Sequence, residues 1–227
     1  MAITSRDNER LKLVRKLRDR RWRDKLGLFA VEGEDLLEAG LAAGLEPADV
    51  LVAGEDVAAE LLAQVSALAH PPRVVAIFRR DDLPRGMRPV TLALWRVADP
   101  GNVGTLLRAA DAFGAGIALS EGCADPTGPK AVRASMGSLF RVPLSAFDEP
   151  AGKRVALVPS SGLPLPELDR WGDVVLVLGA EREGLSADVL ERCEQRASIP
   201  QPGGGDSLNV ALAGAIALYE LARSDRA

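Results

Sequence analysis

The stretch VVLVLGAEREGLS, residues 174–186, carries the clearest information about fold class. Its five consecutive apolar residues predict a strand that is buried on both faces, and Gly179 and Gly184 bound the loop that follows. Further apolar strands are predicted at 90–95, 117–119 and 155–158. Helical patterns are predicted at 103–113, 130–139, 187–195 and 207–222. This alternation predicts a parallel α/β sheet with its ligand site beyond the carboxyl ends of the strands.

The first 80 residues form a separate, smaller α/β domain in this interpretation. A basic helix is predicted at 6–25. It is followed by strands at 28–31, 50–52 and 74–78, with helices at 34–43 and 57–69 between them. Residues 81–89, DDLPRGMRP, are polar, contain two prolines and a glycine, and show no periodicity. We therefore predict a domain at 1–80, a linker at 81–89 and a second domain at 90–227.

The composition excludes several classes of protein. The chain has 227 residues, of which 47% are hydrophobic and 26% charged, so wholesale disorder is excluded. No apolar run reaches the length of a membrane span, and the N-terminal residues lack a signal-peptide core, so we expect a cytoplasmic protein. Two distant cysteines and a single histidine argue against a disulfide scaffold and a metal site. We interpret His70, Cys123 and Cys193 as structural.

Charge is distributed unevenly along the chain. Residues 1–25 contain ten Lys and Arg against four acids, which gives +6 and leaves −10 for the rest of a chain whose net charge is −4. A basic segment on an acidic body is typical of a face that meets a polyanion, although a solvated helix face would look the same. Charge alone leaves both interpretations open. The candidate contacts to RNA or DNA in this segment are Arg6, Arg10, Arg15, Arg18, Arg21 and Arg23.

Three segments at strand ends combine glycine with polar side chains. In the first, 99–108, Asn102 suits a helix N-cap and Arg108 follows in the second turn. Taken alone, this segment is better explained as an ordinary helix start with a surface arginine, since such starts are common. The second is the loop after 174–178, which a tight turn would also explain.

The third segment, SIPQPGGGDSLNV at 198–210, contains three consecutive glycines that cannot fill a core. Ser207 and Asn209 stand at the start of an otherwise apolar helix, where polar side chains need partners. Capping explains Ser207 better than Asn209, whereas a polar ligand would explain both.

Together, and in this order, the three segments resemble the SpoU (TrmH) family of RNA ribose 2′-O-methyltransferases in the SPOUT superfamily. The first resembles the family's Asn-x-Gly-x-x-x-Arg signature at Asn102, Gly104 and Arg108. The second resembles Gly-x-Glu-x-x-Gly-Leu, and the third Ile-Pro-x-x-Gly-x-x-x-Ser-Leu-Asn-Val. The resemblance covers about residues 90–223. Less specifically, the region around 29–33 looks like the family's ribosomal-protein-like substrate-binding domain.

The resemblance implies methyl transfer from S-adenosylmethionine to a ribose 2′-hydroxyl of ribosomal RNA or tRNA. It also implies a deep trefoil knot in the second domain, a homodimer and no metal. The implied catalytic residues are Asn102, Arg108, Glu181, Ser207 and Asn209. The implied cofactor-binding residues are Leu178, Gly179, Ala180, Glu181, Gly184, Ile199, Pro200, Gln201, Ser207, Leu208 and Asn209. Arg108 and Arg133 join the candidate RNA contacts.

Two departures from the family pattern bear on activity. Arg182 stands where the family often has glycine, and Gln201 where it often has methionine. They are the support for an alternative function, a non-catalytic RNA-binding or ribosome-assembly protein that retains the fold. A Rossmann-type dehydrogenase ranks well below both, because no Gly-x-Gly-x-x-Gly follows a first strand. Housekeeping modification and self-protection against an antibiotic both remain open.

Overall fold

The structure is a computed structural model that describes residues 2–66, 68, 71–168, 172–203 and 207–224. His70, which was interpreted as structural, therefore lies outside the described residues. The motif residues Gly204 and Gly205 also lie outside them. The chain divides into two compact units, one formed by residues 1–83 with 125–141 and the other by 84–124 with 142–227. This division differs from the predicted one because 125–141, placed by sequence in the second domain, packs with the first unit.

The helices and strands of the described residues are as follows. The helices are α1 (Glu9–Lys16), α2 (Arg20–Leu26), α3 (Glu34–Ala42), α4 (Ala59–Val65), α5 (Pro100–Ala112), α6 (Pro129–Ser135), α7 (Ala187–Glu191) and α8 (Val210–Ser224). The strands are β1 (Leu28–Glu32), β2 (Asp49–Val52), β3 (Val74–Arg79), β4 (Val90–Leu94), β5 (Gly116–Leu119), β6 (Leu144–Ala146), β7 (Lys153–Leu157), β8 (Leu163–Pro164), β9 (Val174–Leu178) and β10 (Gln195–Ser198). Of these helices, none has the length and apolar character needed to cross a membrane.

The first unit is built on an antiparallel sheet with strand order β1-β3-β2. Leu11, Val14 and Leu17 of the first helical turns pack with Leu51 and Ile77 of the sheet in one apolar cluster. A second contact joins the aromatic rings of Phe29, Phe78 and Phe140, whose centroids lie 5.0–6.1 Å apart. Since Phe140 comes from 125–141, that segment supplies part of the core of this unit.

The single helix predicted at 6–25 is wrong. The chain forms two helices there, α1 and α2, because Asp19 interrupts the pattern. Its carboxylate accepts a hydrogen bond from the backbone N–H of Arg21 at 2.8 Å and caps α2. An aspartate that bonds to the backbone two residues ahead favours a new helix start over continuation of the old helix. The basic residues of this segment are therefore divided between two helices, α1 and α2.

The second unit contains a parallel sheet, which confirms the predicted fold class. Within the described residues its strand order is β6-β5-β4-β9-β7-β10-β8. The central strand β9 is buried along its whole length and lies between β4 and β7. The predicted strand at 174–178 is confirmed residue for residue. The short strands β6, β8 and β10 were missed, because none of them contains an apolar run like those of the strands that were predicted.

Candidate active site

The candidate site lies where the central parallel strands end. Leu94 at the end of β4 is paired with Leu178 at the end of β9, and β7 flanks β9 on its other side. A cavity of about 560 Å³ opens beyond β7 and β9. It is lined by segments 157–159, 178–185 and 207–210, with Leu190, Ile199, Gln201 and Ala213. The site therefore occupies the sheet edge that the alternation of strands and helices predicts.

Most of the residues expected to bind a cofactor line this cavity. They are Leu178, Gly179, Ala180, Glu181, Gly184, Ile199, Gln201, Ser207, Leu208 and Asn209. Pro200 is the exception: it is exposed and is not among the lining residues. Sequence reasoning missed Leu157, Val158 and Pro159 as lining residues, although they lie at the carboxyl end of the strand predicted at 155–158, where ligands are expected.

Gly179 and Gly184 close the loop after β9. The backbone N–H of Ala180 donates to the carbonyl of Gly184 at 3.2 Å, and the N–H of Gly184 donates back at 2.9 Å. A Cβ atom on Gly179 would lie 2.4 Å from the carbonyl carbon of Gly184, and Gly184 has φ +66°. Any side chain at Gly179 would therefore open this loop, so the glycine pair shapes one wall of the cavity.

A chain of side-chain hydrogen bonds joins the three signature segments. The amide nitrogen Nδ2 of Asn102 donates to Oε1 of Glu181 at 2.8 Å. Nδ2 of Asn209 donates to Oδ1 of Asn102 at 3.1 Å. Because a carboxylate only accepts, Glu181 fixes which end of the Asn102 amide faces Asn209. The direction of both hydrogen bonds in this series, from Asn209 to Asn102 and from Asn102 to Glu181, is thus set by the carboxylate.

Two capping assignments made from the sequence are wrong. Asp99, not Asn102, caps α5, since its Oδ1 accepts the backbone N–H of Asn102 at 2.9 Å. At the start of α8, Oδ1 of Asn209 accepts from the backbone N–H groups of Ala211 and Leu212 at 2.9 and 3.3 Å. Asn209 is therefore explained by the cap and by Asn102, while Ser207 lines the cavity. The Asn102 side chain is free of capping and can bridge the segments.

Arg108 stands apart from this hydrogen-bonded chain. It follows Asn102 by six positions on α5, which is roughly 240° around a helix. Its side chain is exposed, does not line the cavity, and has no hydrogen-bond or ion-pair partner among the described residues. The structure thus brings together Asn102, Glu181 and Asn209, with Ser207 beside them on the cavity wall, but does not join Arg108 to them.

The candidate RNA contacts differ in their availability. Arg23 is a correction: its side chain is 5% exposed and forms an ion pair with Asp125 at 2.8 Å, so it cannot reach an external ligand. Arg10 holds the carboxylate of Asp49, with Nε donating to Oδ2 at 2.8 Å. Arg15 and Arg18 each donate to a backbone carbonyl. Of these candidates, Arg6, Arg21, Arg108 and Arg133 have exposed guanidinium groups without a partner in the described parts of the chain.

The cavity fits a nucleoside with a charged tail. Its volume falls within the range of about 300–1,000 Å³ that is usual for small-molecule sites. Leu157, Leu178, Ile199 and Leu208 offer an apolar wall to a purine, and the charged side chains among the described lining residues are Glu181, Arg182 and Glu183. These residues match the chemistry of S-adenosylmethionine, which combines an adenine ring with a charged amino-acid end.

The sequence as a whole matches known families over both units. Residues 89–219 match the SpoU rRNA Methylase family, and residues 8–77 match the MRM3-like substrate binding domain. An α/β protein with a nucleoside-sized cavity at the ends of its parallel strands and these signatures is a SpoU-type protein. The chain belongs to the SpoU rRNA methylase family, which confirms the resemblance.

Relatives align along nearly the full chain. An uncharacterized tRNA/rRNA methyltransferase of Synechocystis sp. is 36% identical over 98% of this chain and 93% of that protein. The 23S rRNA (guanosine(2553)-2′-O)-methyltransferase RlmP of Bacillus subtilis is 29% identical over 96% and 98%. Among solved structures, an AdoMet-bound rRNA methyltransferase of Sinorhizobium meliloti has a TM-score of 0.87 at 30% identity, covering 99% of this chain and 98% of that one.

Proposed function

We propose that this chain transfers a methyl group from S-adenosylmethionine to the ribose 2′-hydroxyl of a nucleotide in ribosomal RNA. The observation that carries the proposal is the cavity lined by the second and third signature segments, to which Asn102 of the first segment is joined by its hydrogen bonds with Glu181 and Asn209. Membership of the SpoU rRNA methylase family supports it, as does similarity to a 23S rRNA 2′-O-methyltransferase and to structures with bound AdoMet.

The residues around the cavity bind and orient rather than react. The cofactor, when bound, supplies an electrophilic methyl group. Apolar side chains from β7, β9 and the 198–210 segment exclude water from one side of the site. The Glu181–Asn102–Asn209 chain holds the loop after β9 to the first turns of α5 and α8. Holding the site in advance of binding contributes through orientation, which methyl transfer between two bound partners requires.

Arg108 acts on the RNA side of the reaction in this proposal. A ribose hydroxyl is a poor nucleophile, and the oxygen gains negative charge as its proton departs. An arginine stays protonated and cannot serve as the base, but its planar guanidinium can stabilise that charge together with a neighbouring phosphate. Its exposure and its lack of a partner among the described residues leave its donors available to RNA.

The homodimer is supported by an apolar face on α8. Leu212, Ile216 and Tyr219 follow a spacing of four and three residues and are 56%, 40% and 56% exposed. Phe113 meets Tyr219 edge to face at a centroid distance of 6.4 Å and extends the same patch. A contiguous apolar surface of this kind is typical of an interface between copies. Tyr219→Glu should convert dimer to monomer in sedimentation analysis. The trefoil knot, the cytoplasmic location and the absence of a metal stay predictions.

The proposed function is tested in two linked measurements on one preparation. Titration calorimetry with S-adenosylmethionine should show binding, and tritiated methyl transfer to size-separated total RNA should label a ribosomal RNA band. Nuclease digestion should then recover the label in a 2′-O-methylated nucleoside. Binding without transfer to any RNA, including RNA from cells that lack the gene, would favour the non-catalytic alternative.

A further inference from the structure

Two lysine ammonium groups lie over the ring of Trp22 on α2. Nζ of Lys16, at the end of α1, is 5.1 Å from the centroid of the Trp22 ring, and Nζ of Lys25 is 5.2 Å from it. The ring is partly exposed, and both lysines are exposed. In the described residues, neither lysine has a carboxylate within ion-pair distance. A π-surface flanked by two unpaired cations is thus held at the surface of the first unit.

The neighbouring cations are engaged elsewhere. Arg10, Lys12, Arg20 and Arg23 each form an ion pair with an acid of the same unit. Arg15 and Arg18 donate to backbone carbonyls. Lys16, Lys25, Arg6 and Arg21 are therefore the cations of α1, α2 and their flanking residues without a described partner. Two of these four, Lys16 and Lys25, contact Trp22, which is the one aromatic residue of positions 1–25. A surface that attracts a polyanion by charge alone would not need an aromatic ring beside its cations.

We propose that Trp22 is a stacking platform for an unpaired nucleotide of the substrate RNA, and that Lys16 and Lys25 bind the phosphates on either side of that nucleotide. The proposal rests on the proposed function, because RNA as the ligand follows from it. Every base has a π-face, so stacking on an indole accepts an unpaired nucleotide with little regard to its sequence, while flanking cations hold the backbone.

The existing cation–π contacts do not prevent stacking. Such contacts at exposed sites are weaker than the stacking of a base on an aromatic side chain, so a nucleotide can replace an ammonium group over the ring. Lysine stems are flexible, and the displaced ammonium groups gain a phosphate as partner. A base-paired nucleotide has no free face to offer. The platform therefore selects loops, bulges or opened strands over continuous duplex.

The test compares single-stranded and duplex RNA with full-length variants. The probes are a single-stranded oligoadenylate and a blunt RNA duplex with the same number of phosphates. Trp22→Ala should weaken oligoadenylate binding by about 5- to 100-fold and duplex binding by less than about twofold. Trp22→Tyr should restore most of the affinity, whereas Trp22→Leu, with similar bulk and no π-face, should not. Point variants are preferable to deletion of residues 1–80, which would uncover Phe140.

The lysines are tested through the salt dependence of binding. Lys16→Gln and Lys25→Gln should each lower the slope of log affinity against log salt for oligoadenylate by about 0.7, the value for one phosphate contact on a single strand. Lys12→Gln is the matched control, because its ammonium group on α1 is already paired with Glu9 at 2.9 Å. Its slope should stay that of the wild type.

The outcomes separate this proposal from the proposed function. Unchanged oligoadenylate affinity in Trp22→Ala, or equal affinity of the Leu and Tyr variants, overturns the platform even if the wild type labels ribosomal RNA. Trp22-dependent binding of oligoadenylate supports the platform even if the wild type transfers no methyl group. Equal losses on single-stranded and duplex RNA also overturn it, since they would assign Trp22 to the general stability of the unit.

Discussion

The guanidinium of Arg23 forms an ion pair with the carboxylate of Asp125, a residue of the first unit that lies 102 positions later in the chain. Nε and Nη2 of Arg23 both lie 2.8 Å from Oδ2 of Asp125, and the side chains are 5% and 4% exposed. Nη1 donates to the carbonyls of Leu17 and Arg18, and Thr127 donates twice to Oδ1. The pair links α2 to segment 125–141, and the Nη1 hydrogen bonds connect both to the chain at the end of α1.

Asp125→Asn should strongly destabilise the protein. Removing one charge leaves Arg23 buried without a counterion, and breaking a buried pair in this way costs about 3–5 kcal/mol. Urea unfolding followed by circular dichroism should show a lowered midpoint. Glu9→Gln breaks an exposed pair with Lys12 and serves as the control, with little change expected. A midpoint for Asp125→Asn no lower than that of the control would contradict the assignment.

The same pair predicts a pH dependence of stability. Burial alone would raise the pKa of Asp125, but hydrogen bonds from Thr127 and the charges of Arg23 and Arg80 outweigh it and hold the pKa below its ordinary value of 3.8. A lowered folded-state pKa contributes stability that is present above the unfolded value and is lost as pH falls through the folded value. The difference in unfolding free energy between wild type and Asp125→Asn should therefore shrink as pH falls below about 4. A difference that widens in acid would mean that folding raises the pKa of Asp125 instead of lowering it.

The sequence predicted the parts of the fold that depend on local pattern. β9 was predicted in full because Val174 to Leu178 are all apolar, and the signature segments led to the cavity because parallel strands end at a common edge. The Asp99 cap could also have been found. Pro100 is favoured in the first turn of a helix, so the residue before it was the better candidate.

Other features depended on partners that no local pattern reveals. Arg23 is one of ten cations in residues 1–25, and only contact with Asp125 shows that it belongs to the interior. Segment 125–141 belongs to the first unit because Phe140 packs on Phe29 and Phe78. These residues are far apart in the sequence, so only the folded structure shows the contact. The roles of Asn102 and Asn209 are visible only in the hydrogen bonds of the folded chain, since both residues suit caps equally well by type.

Asn209→Asp should separate capping from the bridge between segments. An aspartate still accepts the backbone N–H groups at the start of α8, so the melting temperature should stay near that of the wild type. It cannot donate to Asn102, so the loop after β9 loses a tether, and affinity for S-adenosylmethionine should fall by about 2- to 12-fold. Asn8→Asp makes the same change in the cap of α1 and should leave cofactor affinity unchanged. If Asn209→Asp left the affinity for S-adenosylmethionine unaltered, the hydrogen bond between Asn209 and Asn102 would have no role in cofactor binding.

Arg108→Ala should abolish methyl transfer with little effect on the cofactor. Its side chain does not line the cavity, so affinity for S-adenosylmethionine should change by less than about threefold, under 1 kcal/mol. Calorimetry and tritium transfer to ribosomal RNA measure the two effects separately. Arg108→Lys retains the charge without the planar fork and should recover only part of the activity. Near-normal turnover in Arg108→Ala would remove it from the reaction.

Arg182→Gly tests the charged end of the cavity. Among the lining residues that the structure describes, Arg182 is the only cation, and no described carboxylate lies within ion-pair distance of it. We expect its guanidinium to pair with the carboxylate of S-adenosylmethionine, a charge-assisted hydrogen bond that is weakened by its exposure to solvent. Affinity for S-adenosylmethionine should fall by about three- to tenfold in low salt and by less in high salt.

Methylthioadenosine provides the control for Arg182, because it retains the nucleoside and the sulfur but lacks the amino-acid carboxylate. Its affinity should be the same for wild type and Arg182→Gly. Gln201→Met, on the same cavity wall, should act on both ligands alike, since its side chain offers no charge to distinguish them. Equal losses of the two ligands in Arg182→Gly would instead mean that the arginine shapes the loop after β9. A gain in S-adenosylmethionine affinity would mean that the cation opposes the positive sulfur of the cofactor more than it attracts the carboxylate.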